Sequence, residues 1–413
     1  MRTLVGDRHP SPPLPHLGSP EAEPAMRILH VIITLNPAYG GPPKVAASLA
    51  ASQAKLGHTA EILCGDIGSI NTTNHPLLAD IPGAADIALS YAPSVSPRVF
   101  LPGSSLPTAV VDAVKRCDIV HLHGVWEPLL ASAAIAAKRL HRPYIVLPHG
   151  MLAPWSLSQR YWKKRLAMWV YHRRMLNEAA AIQLLNADEQ SLVQDLGLVA
   201  REVIIPNGVF EEEIEPLPEP GRFRTSRPEL ANRRFVLFLG RLHYVKGLDV
   251  LCDAFGLTAE AHPDVDLVVA GPDDGYQDEF LKRVADSGLS SRVHLVGPIY
   301  GRDKFAAFVD AECFCLPSRQ EGFSVAIIEA MASGCVPVIS EGCHFPEVAA
   351  HEAGIVVELD AAKIEKALRF LLDDPMRSQV LGRNARRMVA QRLTWPSIAE
   401  ATVNLYKQIS TRL

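Results

Sequence analysis

RILHVIITLNPAYGGPPKVAASLAASQAKLGHTAEILCG, residues 27–65, holds a strand, a loop, a helix and a second strand in one run. RILHVIITL is a largely apolar stretch rich in β-branched residues, as expected of a strand buried on both faces. Gly40 and Gly41 form a glycine loop that opens a helix, and Gly57 is its natural C-terminal stop. AEILCG is the next strand. Buried strands joined through a helix imply a parallel sheet covered on both sides.

The alternation continues along the chain. DIVHLHG, PYIVLPHG, AAIQLLN and EVIIPNG read as further strands. Near residue 210 the composition changes: FEEEIEPLPEPGRFRTSRPELANRR is charged and proline-rich and reads as a linker. The pattern then restarts with FVLFLGRL, VDLVVAGP, RVHLVGP, CFCLPS and VPVIS. The fold class is therefore α/β, with two Rossmann-like, doubly wound domains. A last helix, TWPSIAEATVNLYKQIS, follows the second half and can pack on either.

Composition narrows the class. A chain of 413 residues favours two domains. With 48% hydrophobic and 21% charged residues it can bury a sizeable core. A net charge of -4 gives no global signal for nucleic acid. Seven cysteines, an odd count at irregular spacing, fit a reduced cytoplasmic protein better than a disulfide framework. Cys313 and Cys315 resemble a ligand pair, but in AECFCLP they also fit a buried strand, and core positions are the reading taken. Cys335, Cys343 and His344 are read as core or loop residues. No apolar run reaches the ~18 residues of a spanning helix. Residues 1–25 carry six prolines and no apolar signal-peptide core, so they read as a disordered extension before Met26.

In open parallel sheets, ligands bind beyond the carboxyl ends of the strands. The polar punctuation falls there: Gly40-Gly41, His123-Gly124, His149-Gly150, Asn207-Gly208, Gly240-Arg241, Gly271-Pro272 and Glu321-Gly322. Two such domains facing each other make a cleft. LGRLHYVKGLDVL sets Arg241 and Lys246 after a strand, with Gly247 opening a helix. Two cations near a helix N-terminus suit a diphosphate; the competing reading is a solvated basic loop. Neither a dinucleotide fingerprint nor a P-loop stands where one is needed.

EGFSVAIIEAMASG, residues 321–334, poses a sharper problem. Gly322 and Ser324 open a helix, and Gly334 stops it. Glu329 lies one to two turns inside, among apolar neighbours, where an unpaired carboxylate is costly. A ligand with a diphosphate at the helix start could offer hydroxyls to Glu321 on one side and to Glu329 on the other; a nucleotide-sugar has that layout. The alternative is a solvated Glu329. A lone histidine is more often structural, but His149, ending a strand beside a glycine, also reads as a cleft residue; His123 has the same placement with weaker support, and His121 reads as core. Residues 155–174, WSLSQRYWKKRLAMWVYHRR, mix six Lys or Arg with five Trp or Tyr. Three readings stay open for them: an amphipathic helix with its aromatics in the core, an interfacial helix on anionic lipid, and a nucleic-acid surface.

Taken together and in order, these segments resemble the family-4 retaining glycosyltransferases of the GT-B fold. EGFSVAIIEAMASG is similar to their E-x7-E signature, GRLHYVKG to their phosphate-binding motif, NPAYGGPPKVAASLA to their N-terminal glycine loop, and IPNGV to their interdomain segment. The resemblance runs from about Met26 to the C-terminus. It implies catalytic positions at His149, Arg241, Lys246 and Glu321, with His149 near the transferred sugar. It implies donor-binding positions at Gly40, Gly41, Gly240, Phe323, Ser324, Val325 and Glu329, the last on the ribose. Arg241 and Lys246 would then do the work of a divalent metal; GPDDG lacks the D-x-D form, so no metal and no cofactor is expected.

The implied domains are residues 26–208 with 396–413 on the acceptor side and 209–395 on the donor side. The implied partners are a UDP- or GDP-hexose and a glycan or lipid-linked acceptor, in a cytoplasmic enzyme of bacterial surface-polysaccharide synthesis. No nucleic acid is expected. Membrane or acceptor contact falls to Trp155, Trp162, Lys163, Lys164 and Arg165, on an anionic membrane surface at the inner face of the cytoplasmic membrane. LLNADEQ departs from the Ser- or Thr-containing turn of many relatives, which leaves a donor contact there open. A nucleotide-sugar epimerase, a phosphorylase on the same fold and a non-catalytic membrane-binding protein are the competing functions.

Overall fold

The computed structural model describes residues 24–36, 39, 41–65, 76–79, 81–92, 95, 105–158, 161–230 and 233–411, leaving out the side chains of residues 76, 154, 155, 161, 169 and 170. Gly40, the Trp155 side chain and most of the N-terminal extension thus lie outside the described residues.

The first sheet holds seven strands: β1 (Arg27–Ile32), β2 (Thr59–Cys64), β3 (Ala88–Tyr91), β4 (Ile119–His123), β5 (Tyr144–Leu147), β6 (Ala181–Leu184) and β7 (Glu202–Ile204). Their order is β3-β2-β1-β4-β5-β6-β7, and every pair is parallel. The second sheet holds six: β8 (Arg234–Leu239), β9 (Val265–Ala270), β10 (Val293–Gly297), β11 (Cys313–Leu316), β12 (Pro337–Ser340) and β13 (Ile355–Val357), in the parallel order β10-β9-β8-β11-β12-β13. Both orders reverse direction once, between β1 and β4 and between β8 and β11. A crevice opens at each reversal, because the flanking connections leave on opposite faces.

Every strand read from the sequence is present. The short edge strands β3 and β13 were not read; each has three or four residues, half-buried or exposed, without a long apolar run. The expected linker is not loose chain. It winds into Glu211–Ile214 and Arg222–Thr225 and buries Ile214, Phe223 and Leu230 in the second core. Those three anchors are spaced by charged residues, so their burial does not show in local composition. Cys313 and Cys315 lie fully buried in β11, as expected of core positions.

The last helix, Trp395–Ser410, packs against the first sheet beside the helix Gly41–Lys55, burying Trp395, Ile398, Leu405 and Tyr406. The chain thus passes between the sheets twice, and the two passages touch. Val209 N–H donates to Leu393 O at 2.9 Å, and Trp395 N–H donates to Val209 O at 2.9 Å. Gly208 makes room for this: a Cβ there would stand 2.7 Å from Trp395 N. Substituting Gly208→Ala should therefore part the two passages and destabilise the protein by about 2 kcal/mol. Urea unfolding checks this, and a midpoint unchanged from the parent would contradict it.

Candidate active site

The crevice of the second sheet is built from the loops after β8 and β11. After β8, Gly240 and Arg241 lead to Tyr244–Lys246, and Gly247 turns the chain into the helix Leu248–Ala261 at φ +68°. Side chains rarely adopt that conformation, and here a Cβ on Gly247 would also meet Pro317 O at 1.9 Å. The two loops are packed backbone to backbone. Arg319 locks them: its guanidinium forks onto Asp249 at 2.8 and 2.6 Å, donates to Tyr244 O at 2.8 Å, and stacks 3.8 Å from the Tyr244 ring centroid. Burial works against the Asp249 carboxylate, but the fork holds its carboxyl below the usual range.

Lys246 and Glu321 meet inside this frame. Lys246 Nζ lies 2.6 Å from Glu321 Oε1, and Ser318 Oγ donates to the same oxygen at 2.5 Å. Arg241 stands farther out, exposed, 2.5 Å from Asp274. Asp273 is a loop cap, accepting N–H groups from Gly275, Tyr276 and Gln277. Both aspartates of GPDDG thus have structural partners.

The signature helix spans Val325–Ala332, with Ser324 as its N-cap and Gly334 beyond its end at φ +79°. The Ser324 side chain makes no cap bond; Ile327 N–H donates to the Ser324 carbonyl at 3.2 Å, so an outside acceptor would be met by the N–H groups before it. Glu329 is 3% exposed, which excludes the solvated reading. It is not unpaired: Lys304 Nζ, from the helix Gly301–Asp310, lies 2.6 Å from Oε1. Sequence reasoning missed Lys304, Ser318 and Arg319. A buried glutamate demands a cation, but nothing local shows that it comes from 25 residues upstream.

The first sheet faces this loop. His149 follows β5 with φ +55°, a strained setting for a residue with a side chain. A Cβ on Gly150 would stand 3.3 Å from Gly322 Cα, so the two domains approach at paired glycines. Asn186, in the LLNADEQ turn, caps the helix Ala187–Gln194 by accepting Glu189 N–H at 2.6 Å. Its Nδ2 reaches across to Gly322 O at 3.3 Å. Glu189 is buried, which pushes its carboxyl up, while N–H donors from Leu185 at 2.7 Å and Gly150 at 2.9 Å oppose that. His344 of the second domain lies 3.3 Å from Asp188 of the first. Gly41 opens the first helix, and Phe323 packs into the cores of both domains.

Behind His149 runs a buried row of histidines. His30 Nδ1 is 2.9 Å from His123 Nε2, and His123 Nδ1 is 3.2 Å from His149 Nε2. Burial holds all four imidazoles neutral: it lowers His30 to about 4 and His149 to about 3, with His121 and His123 well below their ordinary value. Nitrogens of His30, His121 and His123 lie within 4.8 Å of one another, so these three could ligate an ion, although His30 and His123 are already bonded to each other.

Segment 155–174 is not one helix. Pro154–Ser158 and Tyr161–Ala167 are followed by a π-helical turn, Met168–His172, and then Arg173–Asn177. Trp162 is 75% exposed and Leu166, one turn on, 61% exposed, so these two are not core. Lys163 and Arg165 are exposed, and Lys164 donates to Ser156 O at 2.6 Å beneath the Trp126 ring. Among the described residues no helix is long and apolar enough to cross a membrane.

The histidine row has a consequence for stability. Unfolded histidines titrate near 6.5 and these titrate lower, so below that value the unfolded chain binds more protons and stability falls with pH. Each contributes a slope of about 1.4 kcal/mol per pH unit between its unfolded and folded values. Replacing one of them, as in His121→Phe, should flatten the loss of stability between pH 6.5 and 4.5, measured by urea unfolding at each pH.

Residues 40–208 match the family model described as glycosyl transferase 4-like domain, and residues 222–388 match glycosyl transferases group 1. The chain is 26% identical over 351 residues to the GDP-mannose:cellobiosyl-diphosphopolyprenol alpha-mannosyltransferase of Xanthomonas oryzae, covering 83% of this chain and 85% of that one. It is 29% identical over 336 residues to the phosphatidyl-myo-inositol mannosyltransferase of Mycobacterium leprae, covering 79% and 82%. Anabaena HepE in complex with UDP superposes with a TM-score of 0.76 at 20% identity, over 93% of this chain and 100% of that one. WaaG, a glycosyltransferase involved in lipopolysaccharide biosynthesis, superposes at 0.64 with 16% identity, over 92% and 99%. Both halves match their models in order, both sheets have the GT-B arrangement, and the chain belongs to the group 1, family-4 glycosyltransferases, retaining enzymes that draw on nucleotide-sugars.

Proposed function

We propose that the protein transfers a hexosyl group from a UDP- or GDP-sugar to a glycan or lipid-linked acceptor in bacterial surface-polysaccharide synthesis. The carrying observation is the cleft lip of the second domain. There Lys246–Glu321 and Lys304–Glu329 flank the open N-terminus of the helix Val325–Ala332. A diphosphate at that helix start meets N–H groups, Lys246 and Arg241, the last exchanging Asp274 for phosphate. Glu321 takes sugar hydroxyls and Glu329 the ribose, sharing its carboxylate with Lys304. Residues 26–208 with 396–413 serve as the acceptor side and 209–395 as the donor side. The curated relatives named above include one whose name prints GDP-mannose and a polyprenol-linked acceptor, which supports this choice of substrates.

Retention fits substitution on one face of the sugar. The bond from the anomeric carbon to the diphosphate oxygen breaks, the acceptor oxygen bonds to that carbon from the same side, and its proton passes to the departing phosphate. Positive groups already in place around the leaving diphosphate carry much of the catalysis. Lys246→Ala and Glu329→Gln should each weaken nucleotide-sugar binding about tenfold or more, read by calorimetry. Normal affinity in both variants would refute the site. Product analysis separates the competing enzymes: an epimerase alters the nucleotide-sugar without acceptor, and a phosphorylase requires inorganic phosphate.

The pair Trp162 and Leu166, exposed beside Lys163 and Arg165, supports contact with an anionic membrane. Trp162→Ser with Leu166→Ser, or neutral residues at Lys163, Lys164 and Arg165, should cut co-sedimentation with phosphatidylserine vesicles severalfold. Unchanged sedimentation in both would remove the membrane from the proposal.

A further inference from the structure

The histidine row does not end at His30. His30 Nε2 lies 2.7 Å from Gln53 Oε1, on the helix Gly41–Lys55. Gln53 Nε2 donates to the Tyr406 hydroxyl at 3.2 Å, on the last helix, and that hydroxyl is 2.7 Å from His121 Nδ1. All of these residues are buried except His149, which is only partly so. A continuous line of hydrogen bonds therefore runs from the last helix, across the sheet, to the cleft.

Such a line has a direction. With Gln53 oriented so that Oε1 faces His30, that oxygen accepts and cannot donate, and the hydrogen between them sits on His30 Nε2. A neutral imidazole carries one hydrogen, which leaves His30 Nδ1 bare and makes His123 Nε2 the donor to it. By the same rule His123 Nδ1 is bare and accepts from His149 Nε2–H. The hydrogen on His149 is thereby assigned to Nε2, and its Nδ1 is a lone pair.

We propose that Gln53, His30 and His123 are positioning residues that hold His149 in its Nε2–H tautomer, so that Nδ1 accepts a hydrogen bond from a hydroxyl of the sugar or the acceptor in the cleft. The substrate part rests on the glycosyl transfer proposed above; the tautomer part does not. The role is orientation rather than proton removal. Stacked neutral rings, 4.7 Å apart between His121 and His123 and 5.4 Å between His123 and His149, oppose a positive charge on any one of them. The strained backbone of His149 aims the ring along the row, a cost retained where geometry matters.

Nitrogen-15 NMR of histidine-labelled full-length protein, without substrate, reads the tautomer directly. The expected spectrum has His149 protonated on Nε2 and bare on Nδ1. Gln53→Met keeps the length of the side chain and removes the acceptor. It should give a mixed tautomer at His149 and a kcat lowered at least about tenfold, with the KM for nucleotide-sugar little changed and the unfolding midpoint lowered, because His30 Nε2–H and the Tyr406 hydroxyl lose a buried partner. Gln53→Glu keeps an acceptor towards His30 and should recover the Nε2–H signature and most of the kcat. His149 protonated on Nδ1 in the parent protein overturns the proposal. So does a tautomer indifferent to Gln53→Met, or a stoichiometric metal ion held by His30, His121 and His123. If Gln53→Met does not fold, the parent spectrum alone decides. A correct tautomer response in a protein that transfers no sugar would leave the row intact and refute the transferase substrates instead.

Discussion

A carboxylate removed from water must be met by positive charge or by N–H donors, and that constraint organises the cleft. Glu321, Glu329 and Glu189 are all held in this way, and their partners come from different elements. Lys246 and Ser318 belong to two loops of the second sheet, Lys304 to a neighbouring helix, and the Leu185 and Gly150 amides to the first sheet. The loops cannot shift independently without stranding a charge. Arg319, forked onto Asp249 and stacked on Tyr244, ties the same loops from behind. Retained conformation at the site is thus a by-product of satisfying buried acids.

Parallel sheets supply the frame for this constraint. Every strand ends toward the cleft, so the loops that carry polar residues collect on one side of each domain. The glycines at 150 and 322 allow the two collections to come into backbone contact, and the paired passages at Val209 and Trp395 tie the two halves through backbone hydrogen bonds.

Legibility in the sequence followed the range of the physical signal. Central strands read clearly because burial on both faces leaves an unbroken apolar run. The edge strands β3 and β13 lack one face of that burial and lack the signal. The helix 325–332 and its stop at Gly334 were legible from local chemistry. That Glu329 needs a partner was legible too, but its identity was not, because Lys304 reaches it only through the packing of two helices. The histidine row failed for a different reason. His30 stands in β1 and His121 and His123 in β4, each between apolar residues, and only the sheet register, which pairs His30 with His121, brings the two strands' histidines together. Apolar anchors at Phe223 and Leu230 were hidden in the supposed linker by the charges around them.

The ion pairs of the cleft lip also bear on how a ligand arrives. Lys246 and Lys304 each already face a glutamate at 2.6 Å, and Arg241 faces Asp274. An approaching polyanion therefore meets a set of local dipoles rather than a net positive field. Dipole fields decay faster than those of single charges, so attraction sets in only near contact. If the proposed donor binds here, its capture depends little on ionic strength, and selectivity arises from which hydroxyls can share Glu321 and Glu329 with their resident lysines.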